Sequence, residues 1–257
     1  MAFLEMNFHS DTLKMGVSVN VILPETAKTA IGIDSKTEQS YKTIFLLHGL
    51  SDDHTIWHRR TSIERYATER GIAVVMPAAD KSWYTDEAGK YLTFIGEELP
   101  RVCRSFFKGM SDKAEDTFLV GNSMGGYGSV KIALLYPETF GGAGSLSGAF
   151  AIDEFSKVCK GYEWQTVFGR DFESPDCLMG SRHDVFKIAS DYRESKKPFP
   201  KLYLWCGNND FFTASNRKFS EHLKKLGFEH LFEDTDGDHS WGCWDLFVRH
   251  ALDYLLK

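Results

Sequence analysis

The chain has 257 residues, of which 42% are hydrophobic and 26% charged, values that exclude collagen-like, coiled-coil and largely disordered classes. Its length suffices to bury a sizeable core without staples. Thirty basic residues against 36 acidic ones give a net charge of −6, which argues against a mainly electrostatic binder of nucleic acid or anionic membranes.

Phe3–Ser10 and Gly16–Leu23 read as the first two strands, the second alternating Val with polar residues before Pro24. A polar connection runs from Glu25 to Tyr41. The pattern then changes. Thr43–Leu47, Ile72–Met76, Thr117–Val120 and Lys201–Cys206 are largely apolar runs closed by Gly, Pro or His-Gly signals. Runs apolar on both faces suit strands covered by helices on both sides. Leu92, Ile95, Leu99, Val102 and Phe106 recur at spacings of three and four and predict a helix, kinked at Pro100. Val130, Ala133 and Leu134 continue a helical pattern after Ser123. Residues 150–200 carry many aromatics and no strand pattern, which predicts a partly helical, cap-like insertion over one end of the sheet. His230–Glu233 reads as a last strand, followed by an amphipathic helix through Trp244, Phe247, Val248, Ala251 and Leu255. The alternation predicts one α/β domain over residues 1–257. Its mainly parallel central sheet would carry antiparallel N-terminal edge strands and helices on both faces.

Gly121-Asn-Ser-Met-Gly125 fits G-x-S-x-G and stands between a buried strand and a helix. That context is the one a nucleophile elbow needs, because the sharp turn exposes the Ser123 oxygen at the edge of the sheet. The plainer reading is a glycine-rich turn with no chemistry. A serine needs a base, and His239 lies in the loop between the last strand and the last helix, which returns an imidazole to the same edge. His250, His222, His230 and His9 fall within helices or strands, and His183 within the insertion. Asp210 follows the strand Lys201–Cys206 and completes the chain order Ser, Asp, His. Asp236 and Asp238 are nearer in sequence to His239 but read as solvated turn carboxylates. An oxyanion hole is expected from the backbone N–H groups of Met124 and Leu50. His48 is expected to brace that loop by a hydrogen bond rather than to act in catalysis.

The segments LLHGLS (46–51), WYTD (83–86), EELP (97–100), GNSMGGYG (121–128), SLSGA (145–149), Trp205–Gly207 with Asp210, and KKLGF (224–228) together span most of the chain. In these segments the chain resembles the esterase D superfamily of α/β-hydrolases, which includes S-formylglutathione hydrolases, feruloyl esterases and mycolyl transferases. It is most similar there to the small bacterial tributyrin esterases. The resemblance implies carboxylesterase activity on short acyl esters, with no metal and no organic cofactor. It carries the triad onto Ser123, Asp210 and His239. Asn122 departs from the pattern, since an apolar residue is expected before the serine.

Trp83 and Tyr84 follow the strand ending at Met76 and Pro77 and are expected at the rim of the substrate site, with core packing the alternative. His54 and His58 share a helix spacing, but no third ligand accompanies them, so no metal site is expected. The five cysteines form no C-x-x-C pair and read as reduced thiols of a cytoplasmic protein. No basic, apolar leader and no membrane-length apolar run is seen. The expected partner is a small-molecule ester, with neither nucleic acid nor membrane. The aromatic share of 14% leaves room for a homo-oligomeric contact. The sequence thus reads as a serine carboxylesterase. Feruloyl or acetyl ester hydrolysis on plant-polysaccharide fragments, S-formylglutathione hydrolysis, acyl transfer and a catalytically silent binding protein stay open.

Overall fold

Nine-residue β1 (Ala2–Ser10) alternates between more and less exposed positions and pairs antiparallel with β2 (Met15–Leu23). The next strands, β3 (Thr43–Leu47), β4 (Ala73–Pro77) and β5 (Thr117–Asn122), are buried at every position, as strands covered on both faces must be. With β6 (Gly142–Leu146), β7 (Lys201–Gly207) and β8 (His230–Thr235) they complete an eight-stranded sheet of order β1-β2-β4-β3-β5-β6-β7-β8. The β1–β2 and β2–β4 pairs are antiparallel and all others parallel. This is the α/β-hydrolase-type sheet with antiparallel N-terminal edge strands that the sequence predicts. The computed structural model describes residues 1–25, 29, 31, 40–154, 163–195 and 197–257. Phe155, Cys159, Tyr162 and most of the connection from Glu25 to Tyr41 lie outside the described residues.

Strand β6 is absent from the sequence reading. Its sequence, GAGSL, offers two glycines and an alanine, which carry little strand propensity. The small residues are imposed by packing: a Cβ on Gly142 would stand 2.6 Å from the Lys201 carbonyl oxygen. The helical period through Leu92–Phe106 is also interrupted differently from expectation. A π-helical turn, Phe94–Glu98, precedes the helix Leu99–Phe106, and Pro100 sits harmlessly in the first turn of that helix. The wider turn shifts the apolar stripe, and Phe106 ends 62% exposed.

Two hydrophobic clusters pack against opposite faces of the sheet. One gathers Val19, Phe45, Leu119, Tyr127, Phe150 and Phe219; the other gathers Leu46, Trp57, Val120, Trp205, Val248 and Leu252. The chain runs from β3 outward to β4 and then crosses back to β5, so the direction of winding reverses between β3 and β5. In open α/β sheets, ligands bind outside the carboxyl ends of the strands at such a reversal. Here those ends lead into Gly49 and Ser123. Within residues 150–200, the described residues form the helices Trp164–Phe168 and Val185–Glu194 and 3-10 turns at Ile152–Glu154 and Pro175–Leu178, with no strand. No helix among the described residues is long and apolar enough to cross a membrane.

Candidate active site

Ser123 follows β5 and opens the helix Met124–Leu135 with φ 54° and ψ −116°, a conformation that a non-glycine residue holds only when its surroundings enforce it. They do. The Ser123 N–H donates to the Leu146 carbonyl at 2.9 Å, and its carbonyl accepts from Tyr127 at 3.0 Å and Ala149 at 3.2 Å. Two glycines make the turn possible. A Cβ on Gly121 would meet the Gly125 backbone at 2.4 Å, and one on Gly125 would meet the Leu47 carbonyl oxygen at 2.4 Å. The elbow is therefore pressed directly onto the end of β3.

The loop after β3 faces the serine: a Cβ built on Gly49 would lie 3.7 Å from the Ser123 Cβ. The N–H groups of Leu50 and Met124 have no protein acceptor among the described residues. His48 holds this loop. Its Nε2 accepts from the Ala79 N–H at 3.0 Å, so its proton sits on Nδ1, which donates to the Gly49 carbonyl at 2.8 Å. Burial pushes the His48 pKa down, which keeps the ring neutral in that bracing role.

Asp210 and His239 come together at the ends of β7 and β8. His239 Nδ1 donates to Asp210 Oδ2 at 2.9 Å, which leaves Nε2 as the basic nitrogen. The Asp210 side chain is fully buried, and its second oxygen accepts from the Phe212 N–H at 2.8 Å. Burial alone would raise the Asp210 pKa. The His239 hydrogen bond and the pull of its imidazolium when protonated, the Phe212 N–H and the Ser147 hydroxyl outweigh it and hold the carboxyl below its ordinary value. The imidazole lies among the rings of Phe211, Phe212 and Trp244, with centroids 4.3, 5.6 and 4.9 Å away. Asp238 instead accepts from the Ser240 hydroxyl before the last helix, and Asp236 accepts from Asn209.

The rim placement of Trp83 and Tyr84 needs correction. Both side chains are buried, at 3% and 0% exposure. Consecutive positive φ angles of 52° and 51° turn them into the protein instead of out along its edge. Trp83 packs on Tyr127 and Phe168, and the Tyr84 hydroxyl donates to the His48 carbonyl at 2.9 Å. Tyr84 thus supports the loop after β3 from behind. The aromatic rim at His239 is Phe211, 61% exposed, which the sequence reading missed although it directly follows Asp210. Asn122 is buried beside the elbow, and neither polar atom of its side chain has a hydrogen-bond partner among the described residues. Among those residues, no group of His, Cys, Asp and Glu is arranged to hold a metal ion.

The comparisons agree with this architecture. The model of the Esterase family matches residues 10–252. An acetyl esterase of Caldicellulosiruptor saccharolyticus is 30% identical, aligned over 100% of this chain and 99% of its own. Among solved structures, the Staphylococcus aureus fluorophosphonate-binding serine hydrolase FphF, substrate bound, superposes with a TM-score of 0.87. It is 33% identical, with 100% of this chain and 98% of that one covered. The S-formylglutathione hydrolase FrmB of the same organism gives a TM-score of 0.79 at 32% identity, covering 100% and 96%. With the model matched over almost its whole length, the chain belongs to the Esterase family, and it is a serine-dependent ester hydrolase.

Proposed function

We propose that this enzyme is a carboxylesterase of short-chain acyl esters, with Ser123 as nucleophile, His239 as general base and Asp210 as its orienting carboxylate. The observation that carries the reading is the 2.9 Å Asp210–His239 hydrogen bond, which fixes Nε2 as the free basic nitrogen at the edge bearing the strained Ser123 elbow. His239 Nε2 takes the hydroxyl proton as Ser123 Oγ attacks the ester carbonyl carbon. The N–H groups of Leu50 and Met124 receive the oxyanion, and the partial positive charge at the helix N-terminus adds to them. Collapse of the tetrahedral intermediate breaks the bond to the alkoxy oxygen, which leaves as the alcohol with the proton from His239. Water, deprotonated by the same imidazole, then attacks the acyl-enzyme and releases the acid while Ser123 regains its proton. We assign the described residues of the 150–200 stretch to a cap-like insertion of a single domain that walls the acyl side of the site. Four free thiols, Cys103, Cys177, Cys206 and Cys243, fit the reducing cytoplasm, where we place the enzyme.

The acetyl esterase relative favours acetyl and other small acyl esters, and the 32% identical S-formylglutathione hydrolase supports a thioester of formate as the second reading. Ser123→Ala is expected to lower kcat by on the order of 10⁴–10⁶ and to abolish labelling by a fluorophosphonate. Near-wild-type turnover of p-nitrophenyl butyrate by that variant would sink the assignment. Esters from acetate to octanoate, with methyl ferulate and S-formylglutathione, rank the substrates.

A further inference from the structure

Outside the catalytic residues, the core holds a line of ionisable side chains that the reaction does not use. Lys131 lies two turns along the helix that begins after Ser123 and is 1% exposed. Its Nζ is 3.3 Å from Nδ1 of His183, a residue of the insertion that is itself buried. His183 Nε2 faces Glu87 Oε1 at 3.4 Å. Glu87 belongs to the connection that carries Trp83 and Tyr84, and it also accepts from Arg182 Nε at 2.9 Å. Proton roles follow from the chemistry. An ammonium group only donates, so His183 Nδ1 accepts and the hydrogen sits on Nε2, which faces the Glu87 carboxylate at ion-pair distance without completing a hydrogen bond. The line therefore runs from cation through neutral imidazole to anion, and it links three chain segments.

Other contacts bind the same segments. The Tyr127 hydroxyl donates to the His183 carbonyl at 2.7 Å, and Thr85 Oγ1 donates to the Val167 carbonyl at 2.5 Å. Phe168 and Phe172 set their rings edge-on to His183. Arg182 forms a fork with Asp171 at 2.9 and 3.1 Å. Next to His183, Asp184 accepts from the N–H groups of Gly180 and Phe186 at 2.8 and 2.9 Å, which fixes the stretch 179–186 as a unit. That stretch delivers Met179 and Phe186 to a crevice of about 180 Å³, whose other walls include Phe150, Phe211 and Phe212. Phe211 and Phe212 are the rings that touch His239. The buried line thus anchors one wall of a mainly aromatic crevice, which Asp153, Ser215 and Lys218 also line and whose opposite wall is in contact with the base.

Burying a charged lysine is expensive, and apolar residues of similar volume fill such positions at no loss of stability. A purpose other than stability is indicated. We propose that Lys131, His183 and Glu87 form a positioning unit that fixes residues 179–186 against the nucleophile helix and thereby sets which acyl groups the crevice accepts. The proposal rests on the esterase reading above, and its ligand is the apolar part of the acyl group. Burial lowers the Lys131 pKa to about 7 against the opposing pull of Glu87 and Asp86, and Glu87 stays ionised down to about 2 despite its burial, held by His183 and Arg182. Glu87 is therefore an anion throughout the neutral range, while the Lys131 ammonium is complete only below about pH 7.

The test compares wild type, Lys131→Met, His183→Leu and His183→Gln on p-nitrophenyl esters from acetate to the longest chain the wild type turns over. Lys131→Met and His183→Leu are expected to keep kcat for acetate and the fluorophosphonate labelling rate within about twofold, while KM for the longest chain rises at least about fivefold. Amide hydrogen exchange of residues 179–186 should speed up by about tenfold or more in both, with β5 unchanged. His183→Gln keeps one acceptor and one donor in the line and is expected to restore the wild-type KM pattern. Three results overturn the proposal: an unchanged KM ratio in folded Lys131→Met; a loss of acetate turnover and labelling parallel to that of the longest ester; or a His183→Gln variant no different from His183→Leu. Should Lys131→Met and His183→Leu not fold, a His183→Gln enzyme with altered acyl selectivity also overturns it, and wild-type selectivity with wild-type exchange of 179–186 supports it. Failure of the wild type itself to label with the fluorophosphonate strikes the esterase reading instead.

Discussion

Replacing Lys131 with Met should make the protein more stable, although it removes a hydrogen bond from the core. The fall of the lysine pKa from its ordinary 10.5 to about 7 sets an upper bound of about 5 kcal/mol on what the buried charge costs at neutral pH. Against that stand the loss of the contact to His183, worth about 1–3 kcal/mol when it leaves a buried ring nitrogen unpaired, and the ammonium–ring contact with Tyr127. Glu87 keeps Arg182 as a partner, so no carboxylate is stranded. The net expectation is a gain of at most about 3 kcal/mol. Its pH dependence has a definite sign. Above about pH 10.5 the lysine is neutral in both folded and unfolded chains and the cost is absent. As pH falls from about 10.5 to about 7, the unfolded chain takes up a proton that the folded chain does not, and the wild type loses stability. Below about 7 both carry the proton and the full cost remains. Urea unfolding at about pH 6.5 and about pH 9.5 should therefore show the largest advantage of Lys131→Met at the lower pH, shrinking at the higher. A variant less stable than wild type at the lower pH, or a difference flat between the two, refutes the reasoning.

Asp210→Asn should lower kcat by roughly 10⁴ with little change in KM, because the amide cannot hold His239 in the tautomer that leaves Nε2 basic; steady-state kinetics on p-nitrophenyl acetate checks this. Tyr84→Phe removes the hydroxyl that donates to the His48 carbonyl at 2.9 Å and should cost about tenfold in kcat at constant KM, since the loop offering the Leu50 N–H loses its support. An unchanged kcat would mean that the loop does not depend on Tyr84. Gly125→Ala places a Cβ 2.4 Å from the Leu47 carbonyl oxygen and should destabilise by more than about 4 kcal/mol, seen as loss of folded protein or a collapsed Tm.

The parts legible in the sequence are those written in local patterns. The runs Thr43–Leu47 and Thr117–Val120 announce buried strands because every residue after the opening threonine is apolar, on both faces, and G-x-S-x-G at such a strand end fixes the elbow in the chain. Ser, Asp and His could be ordered because each closes a strand or follows one. Strand β6 was hidden because its sequence answers to packing against Lys201 and not to propensity. Trp83 and Tyr84 were misplaced for a backbone reason: two consecutive left-handed residues reverse the direction of their side chains, and nothing in the pair WY signals it. The Lys131–His183–Glu87 line was invisible because its members are far apart in sequence. Lys131 alone looks like an ordinary solvated lysine, and His183 like a stray histidine of the insertion.

These differences in legibility follow the division of labour in the molecule. Ser123, Gly49, His48, Asp210 and His239 are held by strand ends, elbow carbonyls and neighbouring loops, and none of their hydrogen bonds among the described residues comes from residues 163–195. Met179 and Phe186, by contrast, reach the crevice beside His239 only through the insertion, and the insertion is tied down through His183, Arg182 and Thr85. On the proposed reading, bond cleavage and acyl choice rest on different sets of contacts. A perturbation at the elbow or the Asp210–His239 pair changes the rate for every ester alike, because each must pass through the same oxyanion. Under the proposal above, a perturbation of that anchor is expected to change KM for the longer esters and to leave acetate unaffected.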